Sequence, residues 1–372
     1  MNPRVNGVHS MPIRPWFSLV LVVLAAMAGF AEGVSSMQTT TVFQASEDGY
    51  HTYRIPAIVR AHNNMLLAFC EGRVHGRGDA SDIDLVLKRS GDGGRTWSAL
   101  QVIVDDGGHT CGNPAPVVLT PSGEVLLVFT KNDENTDEGA ILRGDGPPRT
   151  VWVTRSSDHG VTWAEPREIS NQARRDDWRW YATGPCHAIQ LPSSRIVVPC
   201  NHSLSPDFVT WFSHVIYSDD DGESWTIGGI AGDRTNESTV AALPDGRLYM
   251  NMRNYRNTHR RASAWSEDQG ITWGTLEEAG DLTEPVCQAS CLAPKGSNRL
   301  YFSNPASTTR EKLTIHVSAD GGKSWEVHAV LHEGPAAYSD LVSLGDQGLG
   351  CLFECGSEHP YERITFTRFA TN

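Results

Sequence analysis

The sequence has few basic residues, few cysteines and only one long apolar run. Its 372 residues include 31 lysines and arginines against 44 aspartates and glutamates, a formal net charge of −13. Nucleic acids and anionic membrane surfaces are bound through clustered cations, so no nucleic acid and no membrane surface is expected as a partner. Hydrophobic residues make up 39% and charged residues 20%, which excludes a disordered chain, a collagen-like fibre and a protein with many membrane spans.

Eight cysteines are too few for a disulfide framework in a chain of this length. Several lie inside apolar runs, such as Cys70 in MLLAFC. We therefore expect buried free thiols, or one or two bridges. The pairs Cys287/Cys291 and Cys351/Cys355 lack the two-residue gap and the nearby histidine pair typical of zinc sites, so no metal site is predicted.

The one long apolar run occupies residues 17–31. It follows a segment with Arg4, Arg14 and no acidic residue, and it ends in small residues before Glu32. This order is typical of a secretory signal peptide, which we assign, with a short linker, to residues 1–36. An uncleaved anchor is the lesser alternative, since a spanning helix usually needs about 20 apolar residues. We expect a secreted, periplasmic or extracellular protein without a stable membrane span, whose folded domain is residues 37–372.

Helical periodicity is nearly absent, and short β-rich runs alternate instead with turn residues. Five segments, here called the boxes, fit the pattern S-x-D-x-G-x-[TS]-W and begin at residues 90, 156, 218, 266 and 318. The pattern predicts a tight turn between two strands. Its Asp would accept hydrogen bonds from N–H groups of the turn, its Gly would take a positive φ, and its Ser or Thr hydroxyl would add a local bond. The Trp is expected to pack beneath the turn.

The spacing of the boxes predicts the architecture. Successive boxes begin 66, 62, 48 and 52 residues apart, which suits units of four short strands. Five boxes and one stretch without a box predict an all-β fold with six such units, a six-bladed β-propeller. A β-helix or a tandem array of sandwiches is the alternative, which the unequal spacing disfavours. The boxes predict a fold and not an activity, because propellers that only bind ligands carry them too.

The tripeptide Arg-Ile-Pro within YRIP (residues 53–56), followed by the five boxes, resembles the sialidase (neuraminidase) superfamily of bacterial and animal exo-α-sialidases. The resemblance extends from about residue 40 to residue 372. It implies a sialidase-like propeller that removes terminal sialic acid from sialylated glycoconjugates, with no cofactor and no metal ion. We expect a monomer.

The resemblance implies three arginines that hold the carboxylate of the sugar. They are Arg54 in YRIP, Arg253, which lies 16 residues after Glu237, and Arg310, just before the last box. Guanidinium groups suit this task because they are always charged and can pair with both oxygens of a carboxylate. Glu354, in CLFECG, matches the acid that pairs with the first arginine, and a charge within so apolar a strand needs a buried partner in any case.

The nucleophile that the resemblance implies is Tyr338, in PAAYSDL, with Glu237 as the base that takes its proton. A neutral phenol avoids the repulsion that a carboxylate nucleophile would meet at a carbon already bearing a carboxylate. Sialidases with a Tyr nucleophile are an exception to the rule that glycosidases use two carboxylates. A tyrosine before Ser-Asp in a loop rich in Gly and Pro is also compatible with a plain turn residue.

The acid/base is expected in the polar, Gly-rich segment at residues 71–90. Asp79, 11 residues before the first box, matches the catalytic aspartate of the family, with Asp82 in reserve and Asp84 disfavoured because it falls within a strand pattern. The same segment supplies Arg73, which resembles a family arginine that contacts the O4 hydroxyl of the sugar. A salt bridge within the loop is the alternative role of Arg73.

Two further residues are predicted to line the pocket. Asn113, in GNPAP, occupies the place where relatives have Asn-Pro or Asp-Pro beside O4. Tyr181, in WRWYATGPCH, resembles a family tyrosine near the acyl or glycerol substituent, although Cys186 replaces a frequent Gly and leaves the path of this segment open. Trp178 and Trp180 fit the hydrophobic core equally well.

The sequence thus predicts a retaining exo-α-sialidase. Asp79 would protonate the leaving oxygen while Tyr338 attacks the anomeric carbon, and Asp79 would then activate water. Two other classes stay open. One is a propeller that binds sialoglycans without catalysis; the other is a trans-sialidase or a hydrolase of the deaminated sugar, enzymes that share the three arginines and differ in pocket lining.

Overall fold

The computed structural model describes residues 1, 7, 37–134 and 136–371. The predicted signal peptide and linker, residues 1–36, therefore lie outside the described residues except at positions 1 and 7. Within the described part of the chain, no helix is both long enough and apolar enough to cross a membrane. Strands dominate this part of the chain, so the all-β prediction is confirmed.

Twenty-four strands and two short helices follow one another along the described residues. The helices are α1 (Glu138–Arg143) and α2 (Ser170–Ala173), and short 3-10 turns occupy Phe208–Thr210 and Gly345–Gln347. The strands, in chain order, are β1 (Gln38–Gln44), β2 (Thr52–Arg60), β3 (Leu66–Arg73), β4 (Ile83–Ser90), β5 (Gln101–Val104), β6 (Thr110–Val118), β7 (Val125–Asn132), β8 (Thr150–Ser156), β9 (Arg167–Glu168), β10 (Tyr181–Thr183), β11 (Ile189–Gln190), β12 (Ile196–Ser203), β13 (Trp211–Ser218), β14 (Thr226–Asp233), β15 (Thr235–Ala242), β16 (Leu248–Asn254), β17 (Arg260–Ser266), β18 (Glu277–Thr283), β19 (Ser290–Leu292), β20 (Leu300–Pro305), β21 (Glu311–Ser318), β22 (Glu326–Ser343), β23 (Leu349–Cys355) and β24 (Arg363–Phe369).

Hydrogen bonds join the strands into four sheets. Two of these sheets divide, one at the single parallel bridge between β4 and β6 and one in the middle of β22, which gives six antiparallel groups of neighbours. Five groups follow the chain: β2–β5, β6–β9, β10–β14, β15–β18 and β19–β22, with β10 and β11 both paired to β12. The 18-residue strand β22 pairs through its first half with β21 and through its second half with β23. The sixth group therefore runs from the second half of β22 through β23 and β24 to β1, which pairs with β24 in antiparallel register. The first strand of the described chain completes the last group.

Six hydrophobic clusters lie between successive groups. On β3, Leu67 and Phe69 pack toward the second group, whereas Leu66 and Ala68 pack toward the sixth. Side chains alternate between the two faces of a strand, so each group contributes one face to each neighbouring cluster. One of the six clusters joins the sixth group to the first, and it includes Phe43 of β1.

The boxes form the turns between the last two strands of each of the first five groups. In the turn from β13 to β14, Asp220 accepts hydrogen bonds from the backbone N–H of Ser224 and from the Oγ of Ser218, both at 2.8 Å. Gly222 has a φ of 85°, and Trp225 is buried beneath the turn. The predicted roles of the Asp, the Gly and the Trp are confirmed in this box.

All eight cysteines are free thiols with buried side chains. Cys351 and Cys355 of β23, for example, pack in the cluster between the fifth and sixth groups. Of the two expectations for the cysteines, buried free thiols is the one that the structure bears out.

Candidate active site

A β-bulge interrupts the first strand of four groups. At each bulge two residues oppose a single residue of the next strand: 55–56 oppose Cys70, 113–114 oppose Phe129, 236–237 oppose Arg253, and 337–338 oppose Glu354. Bulges bend a strand and redirect its side chains. They also explain two spacings in the sequence, because Glu237 and Arg253, like Tyr338 and Glu354, face each other across a hairpin.

At least one residue from each of the four bulges lines a cavity of about 510 Å³. Eight of the ten predicted site residues meet there: Arg54, Arg73, Asp79, Asn113, Glu237, Arg253, Arg310 and Tyr338. The structure adds residues that were not among the predicted site residues: Ile55, Glu71, Arg77, Glu138, Arg149, Trp180, Ala182, Phe208, Asn236, Tyr255 and Tyr361. Of the two other predicted residues, Glu354 lies beneath the cavity and Tyr181 lies in the core.

Tyr338, whose exposure is only 6%, is bonded to the predicted base. Its hydroxyl donates a hydrogen bond of 2.6 Å to Oε1 of Glu237. Nη1 of Arg253 lies 2.8 Å from the other carboxylate oxygen and donates to the Tyr338 hydroxyl at 3.3 Å. Burial and the charge of Glu237 raise the pKa of Tyr338 well above its ordinary value, against the opposing effect of Arg253 and Arg310. The phenol therefore keeps its proton in the free protein, and that proton points at Glu237.

The three predicted arginines converge on Tyr338. The guanidinium carbons of Arg54 and Arg310 lie 5.0 Å and 5.6 Å from the centroid of its ring. Arg310 also donates to the hydroxyl of Tyr361, whose ring centroid lies 4.1 Å from the guanidinium carbon of Arg54. Like charges gathered in one cavity, with Arg253 as the third, repel one another and favour the binding of an anion.

Glu354 is fully buried and ties the first arginine to the strand of Tyr338. It accepts hydrogen bonds from Nε of Arg54 at 3.1 Å, from the backbone N–H of Ile55 at 2.8 Å and from that of Tyr338 at 3.1 Å. Burial is the largest influence and acts to lower the pKa of Arg54, but Glu354 together with Tyr361, Tyr338 and Asp79 outweighs it and raises the pKa, so the arginine stays charged. Ile55 has a φ of 62°, a strained backbone conformation for a β-branched residue, and its bond to Glu354 holds it there.

Asp79 reaches the cavity from the Gly-rich loop, with its side chain 64% exposed. Its Oδ1 lies 2.7 Å from Nη2 of Arg73 and 3.7 Å from Nη1 of Arg54. Although partial burial acts to raise it, these two guanidinium groups hold the pKa of Asp79 below its ordinary value. Arg73 also pairs with Glu71 at 2.6 Å, so it lines the cavity and forms a salt bridge at once. Asp82, the reserve candidate, lies in a separate depression of the surface.

Asn113 connects this loop to a part of the wall that the sequence did not predict. Its backbone N–H donates to Oε1 of Glu71 at 2.9 Å, and its Oδ1 accepts from Nη1 of Arg149 at 2.8 Å. The argument used for Glu354 applies equally to Glu71, a charge in the apolar strand LLAFCEGR, and would have found it. Arg149 follows two prolines in a polar stretch, where no sequence signal separates it from a surface arginine.

Glu138, the first residue of α1, brings an additional carboxyl group to the cavity. Burial and the negative charge of Asp79 raise the pKa of Glu138 to about 7, with Arg253 and Arg149 opposing. The residue comes from the acidic loop DENTDEGA, in which it cannot be told from its neighbours by sequence. The cavity thus holds a carboxyl group that changes charge near neutral pH.

The prediction for Tyr181 is wrong. Its side chain is fully buried in the core beside Trp178, with ring centroids 6.0 Å apart. Its neighbours on either side, Trp180 and Ala182, line the cavity instead. Side chains alternate along a strand, so the prediction was one residue out of register.

Comparison with known proteins finds relatives in both sequence and fold. The family of BNR repeat-like domains matches residues 64–352. The chain is 28% identical to an exo-alpha-sialidase of Aspergillus fumigatus over 364 residues, which cover 86% of this chain and 84% of that protein. It is 30% identical to sialidase-3 of Homo sapiens over 394 residues, covering 88% of this chain and 91% of that protein. Among solved structures, the Hadza microbial sialidase Hz136 superposes with a TM-score of 0.79 at 28% identity, covering 89% of this chain and 68% of that chain.

These likenesses define an enzyme of the glycoside hydrolase class. Within that class, the chain belongs to the sialidase superfamily, in the branch that carries BNR repeats.

Proposed function

We propose that the protein is a retaining exo-α-sialidase that releases terminal sialic acid from sialylated glycoconjugates, with Tyr338 as nucleophile. The hydrogen bond of 2.6 Å from the Tyr338 hydroxyl to Glu237 carries the proposal. Sialic acids bear a carboxylate on the anomeric carbon. A phenol beside Arg54, Arg253 and Arg310 suits attack on that carbon, because the arginines hold the carboxylate while the neutral nucleophile approaches.

In the first step the three arginines bind the carboxylate of the sugar. The Tyr338 oxygen attacks the anomeric carbon and gives its proton to Glu237, while Asp79 protonates the departing glycosidic oxygen. The bond from sugar to aglycone breaks as the bond from sugar to Tyr338 forms. Asp79 must carry a proton at this stage; the arriving carboxylate offsets the arginine charge that lowers the pKa of Asp79 in the free protein.

In the second step water replaces the tyrosine. Asp79, now a carboxylate, takes a proton from water, whose oxygen attacks the anomeric carbon from the side that the aglycone left. Glu237 returns its proton to the Tyr338 oxygen as the bond to the sugar breaks. Two displacements at one carbon restore the α configuration.

Trapping the covalent intermediate tests this mechanism. Incubation with 2,3-difluorosialic acid, followed by peptide mapping, is expected to locate one sugar adduct on Tyr338. The Tyr338→Phe variant should form no adduct and lose at least about 100-fold in kcat on an aryl sialoside. Tyr217→Phe, which changes a tyrosine outside the cavity, serves as the matched control. An adduct on another residue would contradict the role of Tyr338, and saturable sialoside binding without release of sugar would favour the binding-only alternative.

We also propose that residues 37–372 form a six-bladed β-propeller in which each antiparallel group is one blade. Three observations support this arrangement: the six groups, the six clusters between them, and the pairing of β1 with β24. An electron density map with six sheets around one axis is the expected result. A linear stack of sheets would return the β-helix or the sandwich array to consideration.

Export is the third part of the proposal, and it rests on residues 17–31 of the sequence. Mass spectrometry of the amino terminus is expected to find the secreted protein beginning shortly after Ala31. Retention in a membrane fraction with an intact Met1 would instead support the uncleaved anchor.

A further inference from the structure

Side-chain contacts along one wall of the cavity place its polar residues in a definite order. The series is Arg54, Asp79, Arg73, Glu71, Asn113 and Arg149. Its ion pairs measure 3.7, 2.7 and 2.6 Å, and its two hydrogen bonds to and from Asn113 measure 2.9 and 2.8 Å. Arg149 therefore stands at the end of the wall opposite Arg54.

The substituents of a sialic acid ring also follow a definite order, and this step rests on the proposed function. The carboxylate is on C2, C3 carries only hydrogen, a hydroxyl is on C4, and C5 carries either an N-acyl amide or, in the deaminated sugars, a hydroxyl. With the carboxylate on Arg54 and the C4 hydroxyl beside Arg73 and Asn113, the C5 substituent faces Arg149. The chemistry of Arg149 then bears on the choice between amide and hydroxyl.

Arg149 presents a fixed cation to this position. Its exposure is 2%, its Nε donates to Asn132, and its Nη1 donates to Asn113 and to the carbonyl of Tyr181. No described residue accepts a hydrogen bond from its Nη2. Burial lowers the pKa of Arg149 to about 10, so the group is still charged at neutral pH.

The same guanidinium covers the aromatic surface of this wall. Its central carbon lies 4.4 Å from the ring centroid of Trp180. The methyl group of an N-acyl substituent at C5 would therefore contact a cation, whereas an N-acyl pocket needs apolar contact. The free energy lost when a cation is buried is recovered only by hydrogen bonds to acceptors, which a methyl group lacks. The amide N–H would likewise find donors on Arg149 and not acceptors.

We propose that Arg149 determines specificity at C5 and that the preferred substrates are sialic acids with a C5 hydroxyl in place of the N-acyl amide. The hydroxyl oxygen accepts the hydrogen bond that Nη2 has free, and its small size leaves the stack of Arg149 on Trp180 undisturbed. The polarity of the wall, and not the size of the cavity alone, then selects the sugar.

Two fluorogenic aryl α-glycosides test the proposal on the unmodified enzyme, one of N-acetylneuraminic acid and one of the deaminated sugar. We expect kcat/KM to be at least about tenfold higher for the sugar with the C5 hydroxyl. Equal values, or a preference for the N-acetyl sugar, would overturn the inference and leave the proposed function standing. Cleavage of neither glycoside would overturn the proposed function itself.

Matched variants then assign the preference to one side chain. Arg149→Met keeps an unbranched side chain but removes the guanidinium group and its charge, and we expect it to lower the ratio of the two kcat/KM values by about tenfold or more. Arg195→Met is the control, because Arg195 also stacks on an aromatic ring, that of Tyr217 at 4.0 Å, and lies outside the cavity. An unchanged ratio in Arg149→Met would remove Arg149 from the proposal. If that variant does not fold, the ratio measured on the unmodified enzyme decides.

Discussion

At the scale of the single residue, the proposed catalytic groups receive opposing influences. Burial and Glu237 raise the pKa of Tyr338 while Arg253 and Arg310 lower it, and the net effect keeps the phenol protonated. Asp79 has the opposite balance, because Arg73 and Arg54 outweigh burial and lower its pKa. Tyr338 thus rests in the form that must lose a proton in order to attack, and Asp79 rests in the form that must gain a proton before it can act as an acid, which makes both depend on substrate binding.

The dependence of Asp79 on its proton predicts a leaving-group effect. Asp79→Ala should lower kcat/KM by about 100-fold or more on a sialyl-lactose, whose leaving alkoxide needs a proton, and by much less on an aryl sialoside. In the unmodified enzyme kcat/KM on the lactoside should fall as pH rises from the acid range, because the protonated form is lost. Parallel assays of both substrates across pH, with Asp82→Ala as control, measure this. Equal losses on the two substrates would contradict the role of Asp79.

The raised pKa of Glu138 predicts that this residue lowers the free energy of unfolding at high pH. Its pKa rises from an ordinary 4.5 to about 7 in the folded protein. The neutral carboxyl group therefore contributes fully to the free energy of unfolding below pH 4.5, and this contribution is lost as the pH rises through 7. Glu138→Gln should therefore raise the free energy of unfolding by about 1–2 kcal/mol at pH 8.5 and leave it unchanged at pH 4. Urea denaturation at the two pH values checks this, with the exposed Glu165→Gln as control. Equal stabilisation at both values would refute it.

At the scale of the element, the hairpins explain why part of the site could be predicted. Glu237 and Arg253 are 16 residues apart, as are Tyr338 and Glu354, because a bulge on one strand faces a single residue on the next. The sequence displays such local distances directly. It does not display which face of a short strand is turned inward, and Tyr181 was misplaced for that reason.

Contacts between distant elements are the part that could not be predicted. Arg149 reaches the cavity because β8 lies beside β7 and its side chain bonds to Asn113 of β6. Nothing within GPPRT distinguishes this arginine from one in solvent. The contacts of the box aspartates, by contrast, could be predicted from the sequence, because every partner of Asp220 lies within four residues of it.

The box turns predict a stability effect that depends on pH. Hydrogen bonds from Ser224 and Ser218 lower the pKa of Asp220. The ionised carboxylate therefore contributes to the free energy of unfolding at pH values above the ordinary pKa of aspartate, and this contribution is lost as the pH falls below that pKa. Asp220→Asn should lower stability by about 0.5–1 kcal/mol at pH 7, with a smaller difference near pH 3. Asp221→Asn changes the next residue, which is exposed, and should have no effect. Thermal melts of both variants at both pH values decide the matter.

At the scale of the whole molecule, one buried carboxylate joins four of the six groups. Asp340 of β22 accepts hydrogen bonds from the backbone of Ile58 at 2.8 Å, from Nδ1 of His187 at 2.7 Å and from Oγ of Ser290 at 2.7 Å. These partners belong to the first, third and fifth groups. Burial acts to lower the pKa of His187, but the charge of Asp340 and its hydrogen bond to the ring together outweigh burial and raise the pKa.

Removing that carboxylate should weaken the fold as a whole. Asp340→Ala leaves a buried histidine and several backbone donors without their acceptor, and we expect a loss of about 3–5 kcal/mol in the free energy of unfolding. Asp346→Ala, in the exposed 3-10 turn before β23, is the control. Denaturant titrations with the slopes compared will show the difference. A change below about 1 kcal/mol would mean that the groups are held together without this junction.

The pairing of β1 with β24 sets a condition on biosynthesis. The sixth group lacks a box because its fourth strand is not joined to its third by a turn; the two come from opposite ends of the described chain. β1 precedes β24 by more than 300 residues in the chain and must wait until β24 has been synthesised. A nascent chain therefore presents an unpaired strand edge until that point, and such edges aggregate. The edge would stay harmless in a polypeptide that crosses a membrane unfolded and pairs β1 with β24 only on the far side.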